Sequence, residues 1–134
     1  MISSDSTAKI ERLIDANLNR LKEGIRVIED INRYIRDDAT LAYQLKQLRH
    51  KLQKAYSKDR LLHRDIEGDI LKESTDSELK RSTIDDLMIA NFSRTQESSR
   101  VLEESFKLID PSLSELFKSI RYELYGLEKS YFVD

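Results

Sequence analysis

Two stretches of this chain repeat the same polar residues at the same spacing. Residues 16–29 read Ala-Asn-Leu-Asn-Arg-Leu-Lys-Glu-Gly-Ile-Arg-Val-Ile-Glu, and residues 90–103, 74 positions later, read Ala-Asn-Phe-Ser-Arg-Thr-Gln-Glu-Ser-Ser-Arg-Val-Leu-Glu. The identical positions are Ala16/Ala90, Asn17/Asn91, Arg20/Arg94, Glu23/Glu97, Arg26/Arg100, Val27/Val101 and Glu29/Glu103. A packed core needs only apolar residues to recur, whereas this repeat keeps amides, guanidinium groups and carboxylates. The pattern therefore indicates chemistry as well as packing.

The chemistry that these groups favour is the binding of anions. Guanidinium forks match the oxygens of phosphates and carboxylates, and the candidate arginines are Arg20, Arg49, Arg64, Arg81, Arg94 and Arg121. Mg²⁺ binds in proteins through one or two carboxylates together with substrate phosphates. Carboxylates on the same elements are Glu23, Asp65, Glu67, Asp69 and Glu97. This inventory fits phosphoryl transfer, and it also fits a pocket for a dicarboxylate.

Helical periodicity places the repeated polar residues near a buried face. The apolar stripe of the first copy is Ile14, Leu18, Leu21, Ile25, Ile28 and Ile35, which predicts a helix over residues 7–36. Positions seven apart nearly share a direction on a helix, so Asn17 and Arg20 fall in otherwise apolar rows beside Gly24. Asn91 and Arg94 do the same in the second copy, whereas Arg26 and Arg100 fall toward outer faces. The rows predict a polar pocket between two inner helices.

A second interpretation of the same rows is purely structural. Arg20 with Glu97, and Arg94 with Glu23, could form an interhelical ion-pair network that only fixes helix register. The sequence is compatible with both interpretations, the polar pocket and the ion-pair network.

The remaining periodicity predicts an all-α fold, a four-helix bundle in a single domain, residues 1–134. Further helices are expected at residues 40–57 and 83–109 and from Pro111 onward. In chain order, the expected N-caps of the four helices are Asp5 or Ser6 for the first, Asp38 or Thr40 for the second, Ser82 for the third and Asp110 for the fourth. Residues 45–52 are echoed by 117–124, which sets Arg49 over Arg121. The bundle is thus two tandem hairpins, about residues 7–57 and 82–131, related by a pseudo-twofold axis. Between them, residues 58–81 form an irregular charged insert that we expect to be functional.

Composition excludes several classes of function. The formal net charge of −2 argues against general affinity for nucleic acid. The absence of cysteine excludes disulfides and thiolate chemistry. The first residues lack an apolar signal core, and no apolar run reaches membrane length, so we expect a cytoplasmic protein. Neither histidine follows a Glu-x-x spacing, which argues against a di-iron bundle, and glycine-rich phosphate loops are absent.

Several motifs together resemble one enzyme family. These are Asn-x-x-Arg-x-x-Glu-x-x-Arg-Val-x-Glu in both copies, Leu-Arg-His at 48–50, Arg-Asp-Ile-Glu-Gly-Asp at 64–69 and Arg-Tyr-Glu-Leu-Tyr at 121–125. Over nearly the whole chain the sequence is similar to the short hydroxymethylpyrimidine phosphate kinases. This is the second, non-ribokinase type, which occurs alone or fused in front of thiamine phosphate synthase. The chain departs from the family pattern at Leu71, where a small residue is expected after Asp69-Ile70.

The resemblance implies transfer of a phosphoryl group from ATP to 4-amino-5-hydroxymethyl-2-methylpyrimidine phosphate in thiamine biosynthesis, with Mg²⁺ as the metal and a functional link to thiamine phosphate synthase. With the residue inventory, it predicts catalytic roles for three arginines, Arg20, Arg64 and Arg94. Binding of the pyrimidine phosphate or ATP is expected of Asn17, Glu23, Arg49, Asn91, Glu97 and Arg121. The expected metal ligands are Asp65 and Asp69.

Two other classes are kept as alternatives. One is a non-catalytic helical module for dimerisation or interaction, in which arginines and glutamates only set register. The other is an enzyme similar to the all-helical chorismate mutases, in which arginines hold a dicarboxylate; the insert and the tandem repeat argue against it. A homodimer is compatible with each of these functions.

Overall fold

The computed structural model describes residues 3–74 and 81–133, and within these ranges the chain is helical and contains no strand. Four α-helices follow one another: α1 Ser4–Asp30, α2 Ala39–Lys51, α3 Ile84–Phe106 and α4 Pro111–Phe132. A π-helical segment, Ile31–Ile35, prolongs α1, and two 3₁₀ segments, Leu52–Ala55 and Lys58–His63, follow α2. None of the helices described is long and apolar enough to cross a membrane.

The helices pack as two hairpins joined through their inner members. α1 and α3 form the main interface, α2 packs on α1, and α4 packs on α3, whereas α2 and α4 touch only slightly. An ion pair between Lys51 and Glu123 bridges these two outer helices. The largest fully buried side chains come from all four α-helices and include Phe92, Phe106, Phe117, Ile14 and Leu45. The predicted all-α bundle is confirmed.

The helix N-termini show which capping predictions were right. Asp38 accepts a hydrogen bond from the Leu41 amide, and Asp110 accepts one from Ser112 ahead of a helix that opens with proline, both as expected. The cap of α1 is Ser3, so the helix begins earlier than Asp5 or Ser6 would allow. Thr83 caps α3 in place of Ser82, because its hydroxyl accepts from the Asp86 amide, the third residue onward.

The C-terminal ends of three helices differ from the predicted ends for identifiable reasons. In the π-helical segment the backbone bonds span five residues, which changes the phase of the stripe. Ile31 and Asn32 are therefore buried, while Ile35 is exposed, contrary to expectation. α2 and α3 end before the predicted residues 57 and 109 because their last turns tighten. The amides of Leu52 and Lys107 bond carbonyls only three residues back, at Arg49 and Glu104.

Candidate functional site

An open cleft of about 670 Å³ lies between the exposed face of α1 and the insert. Its floor is the N-terminal two thirds of α1, and its wall begins at Arg64. The basic side chains that line it are Lys9, Arg12, Arg20 and Arg64, and the acidic ones are Asp15, Glu23, Asp65 and Asp69. The remaining lining residues are Leu13, Ala16, Asn19 and Ile66. We call this feature the α1–insert cleft.

Two arginines attach the insert to α1. Glu11 and Asp15 are one helical turn apart and share a face of α1. Arg60 Nε donates to Glu11 Oε2 at 2.7 Å. Arg64 forms a two-pronged contact with Asp15, with Nε to Oδ2 at 2.7 Å and Nη2 to Oδ1 at 2.8 Å. The matched spacing of two acids and two arginines fixes where the insert lies.

Further contacts of the insert reinforce this attachment. The guanidinium group of Arg60 also donates to the Ala55 carbonyl and lies 5.4 Å from the Phe106 ring centroid. From α1, Arg12 Nη2 donates to the Asp65 carbonyl at 3.1 Å. The hydrogen bonds that Arg64 donates to Asp15 raise the pKa of the Arg64 guanidinium group above its ordinary value, so this group stays cationic. The wall of the cleft therefore carries a guanidinium group whose position is fixed by its carboxylate partner.

Asp65 and Asp69, two carboxylates of the insert, each support a local turn. Asp65 Oδ1 accepts from the Gly68 amide at 2.8 Å, and a β-carbon at Gly68 would collide with the Asp65 carboxylate. Asp69 Oδ1 accepts from the Leu71 amide at 3.0 Å. Leu71, where the family pattern has a small residue, is 85% exposed, so its side chain meets no steric obstacle here.

Five of the predicted site residues line the α1–insert cleft. They are Arg20, Glu23, Arg64, Asp65 and Asp69. Arg94 and Glu97 are exposed on α3 outside this cleft. Arg81 is half-buried at the start of the second described range. The expected ion pairs of Arg20 with Glu97 and of Arg94 with Glu23 are both absent from the part of the chain that the structure describes. Arg26 and Arg100 are exposed as predicted and pair with Asp30 and Glu104 on their own helices.

Arg49 and Arg121 form a pair of equivalent interhelical ion pairs. Arg49 Nε donates to Glu29 at 2.8 Å, and Arg121 Nη2 donates to Glu103 at 2.8 Å. Both glutamates are buried. The hydrogen bond to Glu29 raises the pKa of Arg49, and the hydrogen bonds to Tyr125 and to Glu103 raise the pKa of Arg121. Arg121 also bonds the Tyr125 hydroxyl at 3.1 Å. These two ion pairs join an inner helix to an outer helix. They are different from the pairs predicted from sequence, which would have joined the two inner helices.

The polar pocket predicted between the two inner helices is filled at Gly24. A β-carbon at Gly24 would come within 2.7 Å of Thr95 Cγ2, so the glycine allows α1 and α3 to approach closely. Asn17 and Asn91 are buried, and each donates its side-chain amide to a carbonyl four residues earlier, at Leu13 and Leu87. Such bonds satisfy a buried amide within its own helix. Binding roles for Asn17 and Asn91 stay predictions.

Sequence reasoning missed half of the residues that line α1 in the cleft. Lys9, Arg12, Asp15 and Asn19 have no identical counterpart in the second copy, so the repeat gave no signal for them. A signal was nevertheless present: acids at 11 and 15 and arginines at 60 and 64 have the same helical spacing. This equal spacing is compatible with the two ion pairs in the structure, but it does not by itself identify the partners.

The described residues contain no group of three or more histidine and carboxylate side chains that could by itself hold a metal ion. Asp65 and Asp69 both border the cleft and each commits one oxygen to the backbone. This donor set suits an ion that takes most of its ligands from a phosphate substrate and water.

The fold defines a class of protein, a small all-α helical bundle, and an open cleft lined by charged side chains lies on its surface. Residues 12–130 match the model of the ThiD2 family, and the chain belongs to that family. It is 40% identical over 123 residues to a protein of Thermosynechococcus vestitus named thiamine-phosphate synthase, covering 91% of this chain and 35% of the relative. The similarly named protein of Rhodopirellula baltica is 37% identical over 120 residues, 86% of this chain and 32% of the relative.

The chain thus spans about a third of the length of these curated relatives. No solved structure gives a significant match.

Proposed function

We propose that this protein is a hydroxymethylpyrimidine phosphate kinase of thiamine biosynthesis, transferring a phosphoryl group from ATP to the phosphate of 4-amino-5-hydroxymethyl-2-methylpyrimidine phosphate. Membership of the ThiD2 family and relatives named for thiamine-phosphate synthesis support the pathway. The observation that carries the reaction class is the α1–insert cleft, where four basic and four acidic side chains face one open space.

The proposed reaction needs charge neutralisation more than proton transfer. An oxygen of the acceptor phosphate forms a bond to the γ-phosphorus of ATP, and the bond from that phosphorus to the β,γ-bridging oxygen breaks, releasing ADP. The acceptor oxygen is already ionised near neutral pH, so no strong general base is required. The main barrier is the approach of two anions, which cationic groups lower by alignment and electrostatic stabilisation.

Arg20 and Arg64 are the arginines best placed for this work in the described structure. Arg20 comes from the floor of the cleft, and Arg64 is held at its wall by Asp15. The Arg64 side chain is still 39% exposed, so it can meet a ligand while remaining paired. Arg12 is a further cation on the same surface. Catalytic participation of Arg94 would require the substrates to extend onto α3.

Mg²⁺ bound to the nucleotide would complete this arrangement. The free oxygens of Asp65 and Asp69, with Glu23 across the cleft, are the groups that would hold it. When bound, the ion would neutralise charge on the transferring phosphates. The protein side chains would orient the two anions against each other.

The test is a coupled ADP-release assay with Mg-ATP that compares the pyrimidine monophosphate with the unphosphorylated pyrimidine alcohol. We expect turnover of the monophosphate only, because the acceptor phosphate supplies the nucleophile. A folded protein that turns over neither compound in the presence of Mg²⁺ would overturn the proposal and favour the interaction module. Turnover of the alcohol alone would assign a different kinase reaction.

A further inference from the structure

A second, smaller cavity adjoins the α1–insert cleft. It has a volume of about 210 Å³ and lies where α1 faces the end of α2, the 3₁₀ segment Leu52–Ala55 and Tyr56. Asn19 lines both cavities, so one continuous ligand could occupy the two. We call the smaller cavity the α1–α2 pocket.

The walls of the α1–α2 pocket differ in chemistry from those of the cleft. Leu18 and Leu52 supply apolar surface, and Tyr56 supplies an aromatic ring that is 61% exposed. Asn19 and Gln53 supply side-chain amides, each of which carries both donors and an acceptor. The cleft, by contrast, is lined by four basic and four acidic side chains.

One of the two basic residues of the α1–α2 pocket is already paired with a carboxylate. Arg49 lines it, but its guanidinium group is already bonded at Nε and Nη2 to the buried carboxylate of Glu29. That ion pair is neutral overall and fixes the flat guanidinium group as part of the wall. Lys22 is the other basic residue of the lining. Apolar walls with a few convergent polar groups are typical of sites for uncharged ring systems.

We propose, on the basis of the proposed function, that the α1–α2 pocket binds the amino-substituted nitrogen heterocycle of a phosphorylated substrate, whose phosphate then lies in the α1–insert cleft. The ring would stack on Tyr56 and pack against Leu18 and Leu52. Its ring nitrogen accepts a hydrogen bond and its amino group donates one, which matches the paired donor and acceptor of the Gln53 amide.

Two substrates of the proposed reaction carry this chemistry. Adenine in ATP and the aminopyrimidine of the acceptor both present a ring nitrogen next to an exocyclic amino group. Both rings carry the groups that the contacts with Tyr56 and Gln53 require. The experiment therefore measures the binding of ATP and of the pyrimidine monophosphate separately.

The experiment is isothermal titration calorimetry of the whole chain with Mg-ATP and, separately, with the pyrimidine monophosphate. We expect Tyr56→Ala and Gln53→Leu each to weaken one of the two ligands tenfold or more, while Tyr56→Phe, which keeps the ring, changes that affinity less than twofold. Tyr43→Ala is the matched control, because Tyr43 is 63% exposed on α2. It should bind both ligands like the wild type.

Loss of ATP affinity alone assigns the pocket to adenine, and loss of acceptor affinity alone assigns it to the aminopyrimidine. Unchanged affinities in Tyr56→Ala and Gln53→Leu, or binding of neither ligand by the wild type, would overturn the inference. Binding that depends on Tyr56 in a protein without kinase turnover would support the pocket and reject the proposed function. Thermal unfolding of each variant, monitored by circular dichroism, identifies any loss that reflects misfolding.

Discussion

The outer faces of α1 and α3 carry the same repeated residues but have different surroundings. On α1, Leu13, Ala16, Arg20 and Glu23 line the α1–insert cleft. Their counterparts on α3 are Leu87, Ala90, Arg94 and Glu97, and none of them lines that cleft. The repeat therefore supplies both faces with similar groups, while the described part of the insert, residues 58–74, borders the face of α1.

The difference can be traced to residues that the two copies do not share. Asp15, which holds Arg64, corresponds to Ile89, and Arg12, which bonds the Asp65 carbonyl, corresponds to Asp86. If the insert lay on α3, Arg64 would face Ile89 in place of the carboxylate of Asp15. The Asp65 carbonyl would face the carboxylate of Asp86 in place of the guanidinium group of Arg12. The repeated residues therefore form the scaffold, whereas residues that differ between the two copies attach the insert and shape the cleft.

The scaffold itself is repeated faithfully. Glu29 with Arg49 and Glu103 with Arg121 are the same ion pair in the two hairpins. Partly buried pairs of this kind can specify how elements pack even where they add little net stability. A repeated charged residue therefore indicates a ligand site only when it has no ion-pair partner within its own hairpin.

The first prediction uses the repeat to separate the two faces. Arg20→Ala should lower kcat/KM for the proposed kinase reaction about a hundredfold to a thousandfold, because it removes a cation from the site of developing charge. Arg94→Ala should lower it only a few-fold, because Arg94 lies outside the α1–insert cleft. Steady-state kinetics on the two purified variants makes the comparison. Equal losses would show that the site spans α1 and α3, as the sequence repeat alone predicts.

The second prediction concerns the scaffold. Arg121→Leu should lower the free energy of unfolding by about 3 kcal/mol, because it leaves the buried carboxylate of Glu103 without its partner. The double variant Glu103→Leu/Arg121→Leu should recover most of the loss. Urea unfolding followed by circular dichroism measures both.

Arg100→Leu is the matched control for this experiment, since Arg100 is 58% exposed in its pair with Glu104. It should cost less than about 0.5 kcal/mol. A stable Arg121→Leu variant that has lost substrate binding would instead assign Arg121 to the ligand site.

The third prediction addresses the attachment of the insert. Asp15→Asn should lower kcat/KM about tenfold, because the neutral amide holds Arg64 less firmly than the carboxylate does. Hydrogen bonds between two charged groups are among the stronger ones in proteins. Trypsin should also cleave after Arg64 sooner than in the wild type, which a purely chemical role for Asp15 would not explain. Asp30→Asn removes an exposed partner of Arg26 on the same helix and should change neither measurement.

The sequence predicted the fold in most of its parts. Apolar stripes identified the helices, and Ile14, Leu21, Ile25 and Ile28 of the predicted stripe on the first helix are buried. The exposed positions of Arg26 and Arg100 also followed from the helical wheel. The phase change after Asp30 was not predictable, because periodicity arguments assume α-helical geometry and a π-helical turn does not alter residue types.

The site was less predictable because its position is a tertiary property. Periodicity shows that Asn17 and Asn91 are near the core, but a buried asparagine that bonds its own helix has the same pattern as one that binds a ligand. Which helix the insert covers depends on Arg60 and Arg64 meeting Glu11 and Asp15. Those residues are about fifty positions apart, beyond the reach of local patterns.

The last and smallest effect is expected where α1 and α3 meet. Gly24 corresponds to Ser98, so the two copies also differ at this contact. Gly24→Ala would gain about 1 kcal/mol of helix propensity but would push a methyl group to 2.7 Å from Thr95 Cγ2. Thr95 has no easy alternative rotamer, because its hydroxyl is buried and donates to the Phe92 carbonyl at 2.8 Å.

Overpacking of this kind costs about 1–3 kcal/mol, so we expect Gly24→Ala to be less stable than the wild type by about 1 kcal/mol. Thr95→Ser removes the obstructing methyl and keeps the hydroxyl, so Gly24→Ala should destabilise a Thr95→Ser background less than it does the wild type. A double-mutant cycle in urea unfolding measures this coupling. If Gly24→Ala alone raised stability, helix propensity would outweigh packing, and the close approach of α1 and α3 would not require glycine.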